Sequence, residues 1–105
     1  MAHTITFTHT RPNAETASFD GGALTTAMET ALQAEQDAGR LESITTNTDG
    51  LVTTTVLTYD SQASADAFAT NSDYVAYAEA RNQYNTDNGI ITEIQINGVV
   101  VDQQD

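Results

Sequence analysis

The residues best suited to bind a small molecule form a stripe late in the chain. Three tyrosines and one arginine recur at spacings of three, four and three residues: Tyr74, Tyr77, Arg81 and Tyr84. These spacings place them on one face of a helix. Arginine binds a carboxylate through two parallel hydrogen bonds, and tyrosine hydroxyls add further donors. The stripe therefore predicts an anchor for the carboxylate of a ligand, with Arg81, Tyr77 and Tyr84 as candidate ligand-binding residues.

A structural role for Arg81 is the alternative. The guanidinium could stack on a tyrosine ring, or pair with Glu79, with Glu93 or with an acid of a second subunit, and so tie the helix to the sheet. The other two arginines have simpler explanations. Arg40 follows a predicted helix end, where a cation suits the helix dipole, and Arg11 begins a loop.

The two histidines lie on one face of the first predicted strand. His3 and His9 are six residues apart, so they are about 20 Å apart along a strand and cannot share a metal ion within one subunit. No metal site is predicted. His3 is expected to be an exposed strand-end residue. His9 is a candidate for the lining of a ligand pocket.

Motifs for catalysis are missing from the sequence. The chain has no cysteine, no nucleophile–base constellation, no G-x-S-x-G motif and no Gly-rich phosphate loop. Gly21-Gly22 has no basic neighbour and is explained as a flexible helix entry. No catalytic residue and no cofactor is therefore predicted.

The charge balance excludes several partners. Fifteen acidic residues face three arginines, which gives a net charge of −12. Nucleic acids and anionic membranes bind proteins mainly through Lys and Arg, so neither partner is expected. The acidity fits a salty or marine setting, and an acidic surface built for a basic partner is the alternative. Neither a targeting signal nor a long apolar stretch is visible, so a cytoplasmic protein is expected.

The pattern of apolar residues predicts one domain, residues 1–105, built from strands and helices. The predicted elements, in the order β-α-β-β-α-β with a short fifth strand, are residues 3–10, 24–38, 41–48, 51–59, 60 or 61 to 86, 90–96 and 99–101. Asp20 is the predicted N-cap of the first helix. The second helix is interrupted around residues 70–72, and Ser72 is predicted to cap its continuation.

This order is typical of the ferredoxin-like, split βαβ fold, an α+β fold with a four-stranded antiparallel sheet and both helices on one face. The strand over residues 51–59 is apolar on both sides, with Leu57 and Tyr59 on one and Val52 and Val56 on the other. A strand of this kind is expected to be covered on both sides, which favours a homodimer with two sheets back to back. A monomer with a solvated threonine face is the alternative.

The chain resembles the dimeric α+β barrel superfamily in its element order, in its interrupted second helix with Phe68 before the break, and in its tyrosine-rich second half. The nearest kinds are antibiotic-biosynthesis-monooxygenase-like proteins and small ferredoxin-like proteins of marine microbes and phages. This resemblance implies a pocket between sheet and helices, and oxygenase or isomerase activity without a cofactor. Members that oxidise substrates use Asn, Trp and His around the pocket. The chain has no tryptophan, and only Asn71 maps onto that pattern, with a loop position beside a helix cap as its alternative role.

Two classes of function follow from these observations. The first is a dimeric protein that binds a small apolar or amphipathic ligand, with its head group at Arg81, Tyr77 or His9. The second is a cofactor-independent monooxygenase or isomerase of the same fold, with a tyrosine or His9 as proton donor. A protein-interaction module without a small ligand is a further alternative.

Overall fold

The computed structural model describes residues 2–104, and describes the side chains of residues 2–101. The chain forms eight elements: β1 (His3–Thr10), α1 (Ala23–Asp37), β2 (Leu41–Asp49), β3 (Val52–Tyr59), α2 (Gln62–Phe68), α3 (Ser72–Asp87), β4 (Ile91–Ile96) and β5 (Val99–Gln104). The predicted α+β class and the interruption of the second helix are confirmed.

The strands form one open antiparallel sheet in the order β2-β3-β1-β4-β5. The sheet thus has five strands, whereas the sequence predicts four and a short addition at residues 99–101. Asn97 and Gly98 both have positive φ, 51° and 84°, and this two-residue turn leads the chain directly into β5. The strand was predicted too short because Asp102 and Gln103 have low β-propensity, which pairing with β4 overrides.

Two predicted helix caps were wrong. Asn71, rather than Ser72, caps α3: its Oδ1 accepts hydrogen bonds from the backbone N–H groups of Asp73 and Tyr74 at 3.0 and 3.1 Å. Asp20 does not cap α1, because its Oδ1 accepts from the N–H of Gly22 within the preceding loop, at 3.1 Å. Gly22 takes the N-cap position without a side-chain bond. The loop before α1 therefore ends two residues later than the pattern indicates, and the loop before α3 ends one residue earlier.

The core lies between one face of the sheet and the helices. Its buried centre consists of Phe7, Leu32, Leu41, Leu57, Tyr59, Ala65 and Phe68. The face of β1 that carries Phe7 also carries His3, which is buried rather than exposed as the sequence predicts. His3 is covered because the turn after β4 places Asn97 Nδ2 within 3.4 Å of its Nδ1. None of the helices within residues 2–104 has the length and apolar content needed to cross a lipid bilayer.

Candidate functional site

A cavity of about 340 Å³ lies between the helix-facing side of the sheet and the helices. Strands β1, β2 and β3 supply its floor, and α1 and α3 supply much of its wall. Thr46 lines the cavity and is solvent-exposed, so the cavity opens on the β2 side of the sheet. Its size is within the range of small-molecule sites in proteins.

The strand registers make the cavity floor apolar at one end and polar at the other. Residues that face each other across neighbouring strands form rows across the sheet. One row is entirely apolar: Ile44, Leu57, Ile5 and Ile96. Four residues further along, a second row is entirely polar: Thr48, Thr53, His9 and Thr92. Ile44, Leu57 and Ile5 of the first row line the cavity, as do Thr53 and His9 of the second. At ~3.3 Å per residue the two rows are about 13 Å apart, so the floor changes from apolar to polar over that length.

Arg81 lies on α3, lines the wall of this cavity and is only 8% exposed. Its Cζ lies over the ring of Phe7 at 5.1 Å and over the ring of Tyr77 at 5.6 Å from the ring centroids. Its side-chain hydrogen bonds go to Asn82 Oδ1, from Nε at 3.4 Å and from Nη2 at 3.3 Å. Among the side chains described, no carboxylate is within salt-bridge distance of it.

The other two arginines have partners. Arg40 forms an ion pair with Glu35 on the surface. Arg11 also lines the cavity, but its Nη1 donates to the carbonyl of Thr16 at 2.9 Å and its Nη2 to the carbonyl of Gly50 at 3.2 Å. Neither Arg11 nor Arg81 has a carboxylate partner among the described side chains, and the buried Nε of Arg11 has no hydrogen-bond partner there. Arg11 is bonded to two carbonyls, whereas Arg81 has one amide oxygen and two aromatic rings, which compensate only part of the cost of burying its charge.

His9 stands beside Arg81 on the cavity floor. Its Nε2 is buried and has no hydrogen-bond partner within the described chain. Burial, and secondarily the charge of Arg81, lower the pKa of His9 from 6.5 to about 4. The imidazole is therefore neutral at pH 7, with one ring nitrogen, Nε2, unbonded among the described residues.

Two further polar side chains complete this end of the cavity. Asn85 lies one turn beyond Arg81 on α3, is 4% exposed, and its Nδ2 donates to Thr92 Oγ1 at 3.4 Å. Burial raises the pKa of Tyr77, although the charge of Arg81 opposes the shift, so its hydroxyl is protonated at neutral pH and can donate. The arrangement combines one cation, one neutral imidazole and a phenol, which suits the binding of an anionic head group.

Of the five residues predicted to bind a ligand, the structure brings three together. Arg81, Tyr77 and His9 line the cavity. Tyr84 does not line it, and its hydroxyl donates to the carbonyl of Ala17 at 2.7 Å. Asn71 also lies outside the lining and caps α3. Ligand binding by any of the five stays a prediction.

Several lining residues were not predicted from the sequence. Phe7 alternates with His9 on β1, and Asn85 follows Arg81 by four residues, so both could have been found by extending the two patterns. Phe19 lies in the loop before α1, and no periodicity reaches it. Among the side chains of residues 2–101, no three His, Asp or Glu are grouped to hold a metal ion.

Comparisons with known proteins add little. No protein-family model matches the chain, and none of the curated proteins matches it. Among solved structures, a phage SAM lyase in complex with S-methyl-5'-thioadenosine is similar over 97% of this chain and 87% of that chain. The two share 13% sequence identity with a TM-score of 0.31. Similarity at this level does not extend the lyase's activity to this chain.

Proposed function

We propose that this protein binds a small amphipathic ligand that carries a carboxylate, in the cavity between the sheet and the helices. The carboxylate pairs with the guanidinium of Arg81, and the apolar part of the ligand lies over the row that contains Leu57 and Ile5. The buried guanidinium of Arg81, without an acidic partner among the side chains of residues 2–101, is the observation that carries this proposal.

The energetics of buried charge support it. An ion buried without a counter-ion costs several kcal/mol after relaxation, and such positions are usually paired. A carboxylate in the cavity would supply the missing charge and accept hydrogen bonds from Arg81 and from the Tyr77 hydroxyl. Because His9 is neutral at pH 7, its imidazole would not repel a further hydrogen-bond donor or acceptor on the ligand through charge.

The charge of the protein favours a ligand with a single negative charge. The chain carries −12 and so repels anions at long range, and Glu29 adds a carboxylate to the cavity lining. Arg11, Arg81 and Glu29 together leave the lining with one net positive charge, which one carboxylate balances, whereas a phosphate dianion would leave an excess charge in a buried site. A monocarboxylate is therefore the proposed head group.

A cofactor-independent enzyme is the second candidate function. It is favoured by His9, which lines the same cavity as Arg81 and whose buried Nε2 has no partner among the described residues. A neutral imidazole beside a bound carboxylate could accept a proton from the ligand. Binding is ranked first because none of the described side chains is a second acid–base group hydrogen-bonded to His9 Nε2.

The proposed architecture is ferredoxin-like, and the proposed assembly is a homodimer of the dimeric α+β barrel kind. The order β2-β3-β1-β4 supports the first, because β1 and β2 are both antiparallel to the β3 strand between them. The outer face of the sheet supports the second. Its threonines and valines on β1 and β3, including Val52 and Val56, are half-buried rather than fully solvated, which suits contact with a second copy.

Native mass spectrometry of the untreated purified protein tests both parts of the proposal. We expect twice the chain mass plus a few hundred daltons, because a buried anion should survive purification. The mass difference would identify the ligand. A bare dimer would support the assembly and turn the function toward an interaction module, and a bare monomer would contradict the homodimer.

A further inference from the structure

We infer that the apolar part of the ligand is an aromatic ring, so that the cavity is a site for aromatic carboxylates of one or two fused rings. This inference rests on the proposed function and narrows it. It comes from where the chain places its own aromatic residues.

The aromatic residues are concentrated around the cavity. The chain has three phenylalanines and four tyrosines. Six of these seven line the cavity: Phe7, Phe19, Phe68, Tyr59, Tyr74 and Tyr77. The seventh, Tyr84, does not line the cavity but packs against Phe19, with ring centroids 5.6 Å apart. Packing of the core does not by itself require aromatic residues at these positions, because aliphatic side chains could fill the same space without introducing tyrosine hydroxyls.

Three of the lining rings keep surface available to a ligand. Tyr59 and Phe68 are 3% and 2% exposed and belong to the packed core, whereas Phe19, Tyr74 and Tyr77 are half-buried. The half-buried rings are held in place by aromatic contacts. Phe19 meets Tyr77 edge-on at 5.5 Å and 63°, and Tyr74 lies 5.2 Å from Phe68. Half-buried rings that line a cavity and are fixed by their neighbours are suited to stacked or edge-on contact with another ring.

The positions of these rings along α3 set the length of the ligand. Tyr77 and Tyr74 precede Arg81 by four and seven residues, which is a rise of about 6 and about 10 Å along the helix. A carboxylate at Arg81 therefore brings a directly attached ring next to Tyr77, and the far edge of a second fused ring next to Tyr74. A long flexible chain between carboxylate and ring would overshoot both.

A pair of ligands that differ only in aromaticity tests the inference. We would titrate the full-length protein with 2-naphthoate and with decahydro-2-naphthoate by isothermal calorimetry at pH 7. Both carry the same carboxylate on a two-ring skeleton. Because each aromatic contact is worth about 0.5–1.5 kcal/mol beyond area burial, we expect 2-naphthoate to bind roughly ten-fold more tightly.

Variants of Tyr74 assign the preference to the cavity. Tyr74→Leu should reduce the preference for 2-naphthoate to roughly two- to three-fold, because it removes one ring contact and keeps apolar bulk. Tyr74→Phe is the matched control and should keep the preference. Thermal unfolding of both variants shows whether they remain folded. If Tyr74→Leu does not fold, the comparison of the two ligands with the wild-type protein still decides.

The outcomes separate this inference from the function on which it rests. Equal affinity for both ligands would overturn the aromatic preference and leave a carboxylate-binding site in place. No heat of binding with either ligand up to millimolar concentration would overturn the proposed binding function itself. If Tyr74→Leu keeps the full preference for 2-naphthoate, the ring of the ligand does not contact Tyr74. That result would contradict the inference.

Discussion

The two ends of the cavity floor share strands β1 and β3 but have opposite chemistry. At one end β1, β2 and β3 present Ile5, Ile44 and Leu57, and at the other β1 and β3 present His9 and Thr53. The helix layer repeats the contrast. Phe68 and Tyr74 cover the apolar end, where Phe68 lies 6.4 Å from Tyr59, and Arg81 and Asn85 face the polar end.

This difference separates what stabilises the fold from what the site can bind. The apolar end contains most of the buried hydrophobic cluster, including Leu57, Tyr59 and Phe68. The polar end contains Arg81, a buried cation with no acidic partner among the described side chains, and His9 Nε2, a buried imidazole nitrogen with no hydrogen-bond partner among them. Unpaired polar groups cost stability, so the apolar end offsets a cost that the polar end creates. Substitutions at each end, and one outside the cavity, test whether stability and binding are separated in this way.

The largest effect is expected at the apolar end. Phe68 is 2% exposed and contacts both Tyr59 and Tyr74, so Phe68→Ala removes a ring from the centre of the core. We expect the free energy of unfolding to fall by about 3–5 kcal/mol, as for other buried phenylalanine truncations. Urea denaturation followed by far-ultraviolet circular dichroism measures this. A loss below about 1 kcal/mol would mean that the apolar end does not stabilise the fold.

A smaller and pH-dependent effect is expected from His9. The pKa of His9 is about 4 in the folded protein and ordinarily 6.5. Below pH 6.5 the unfolded chain therefore binds a proton at His9 that the folded chain does not bind. Its contribution to stability is therefore fully present above pH 6.5 and is lost as the pH falls toward 4. Wild-type protein should lose stability relative to His9→Gln across this window.

Urea denaturation of both proteins at several pH values measures this difference, and the other acids cancel because both chains share them. A difference in the free energy of unfolding that stays constant from pH 7 to pH 4 would show that His9 is solvated in the folded protein.

The smallest stability effect is expected outside the cavity, at the cap of α3. Asn71→Ala removes the acceptor for the N–H groups of Asp73 and Tyr74, which should cost about 1 kcal/mol. Because Asn71 is not part of the lining, binding of 2-naphthoate should stay unchanged. Calorimetry on Asn71→Ala checks this, and Asn71→Asp should recover the lost stability. An affinity loss in the still-folded variant would return Asn71 to the site.

Local patterns predicted much of the fold. Alternation found the four long strands. Each hairpin has a glycine in its two-residue turn, at Gly50-Leu51 and at Asn97-Gly98, and glycine beside Asp or Asn is typical of such turns. The cap at Asn71 was missed because Ser72, one residue later, is also a favoured capping residue. The cap at Gly22 was missed because Gly22 has no capping side chain and Asp20, two residues earlier, has one. The fifth strand was predicted too short because its pairing with β4 is a tertiary effect.

The candidate site was predictable only where it follows a period. The helical spacing of Tyr77 and Arg81 and the alternation on β1 placed three residues that the structure brings to one cavity. Burial of Arg81 without an acid depends on where every carboxylate lies, and the sequence offered Glu79 and Glu93 as partners. The apolar and polar rows depend on the registers of three strands, which no single segment determines.

The most direct test of the account is calorimetric titration of 2-naphthoate into wild-type protein, Arg81→Met and the control Arg40→Met. Methionine keeps the apolar stem of arginine and removes the charge. We expect Arg81→Met to bind at least about ten-fold more weakly, the loss of one charge-assisted hydrogen bond or more, with an unchanged or raised melting temperature. Arg40→Met should bind like wild type, because its ion pair with Glu35 is on the surface. Wild-type affinity in Arg81→Met together with a lower melting temperature would contradict the account and make Arg81 a structural residue.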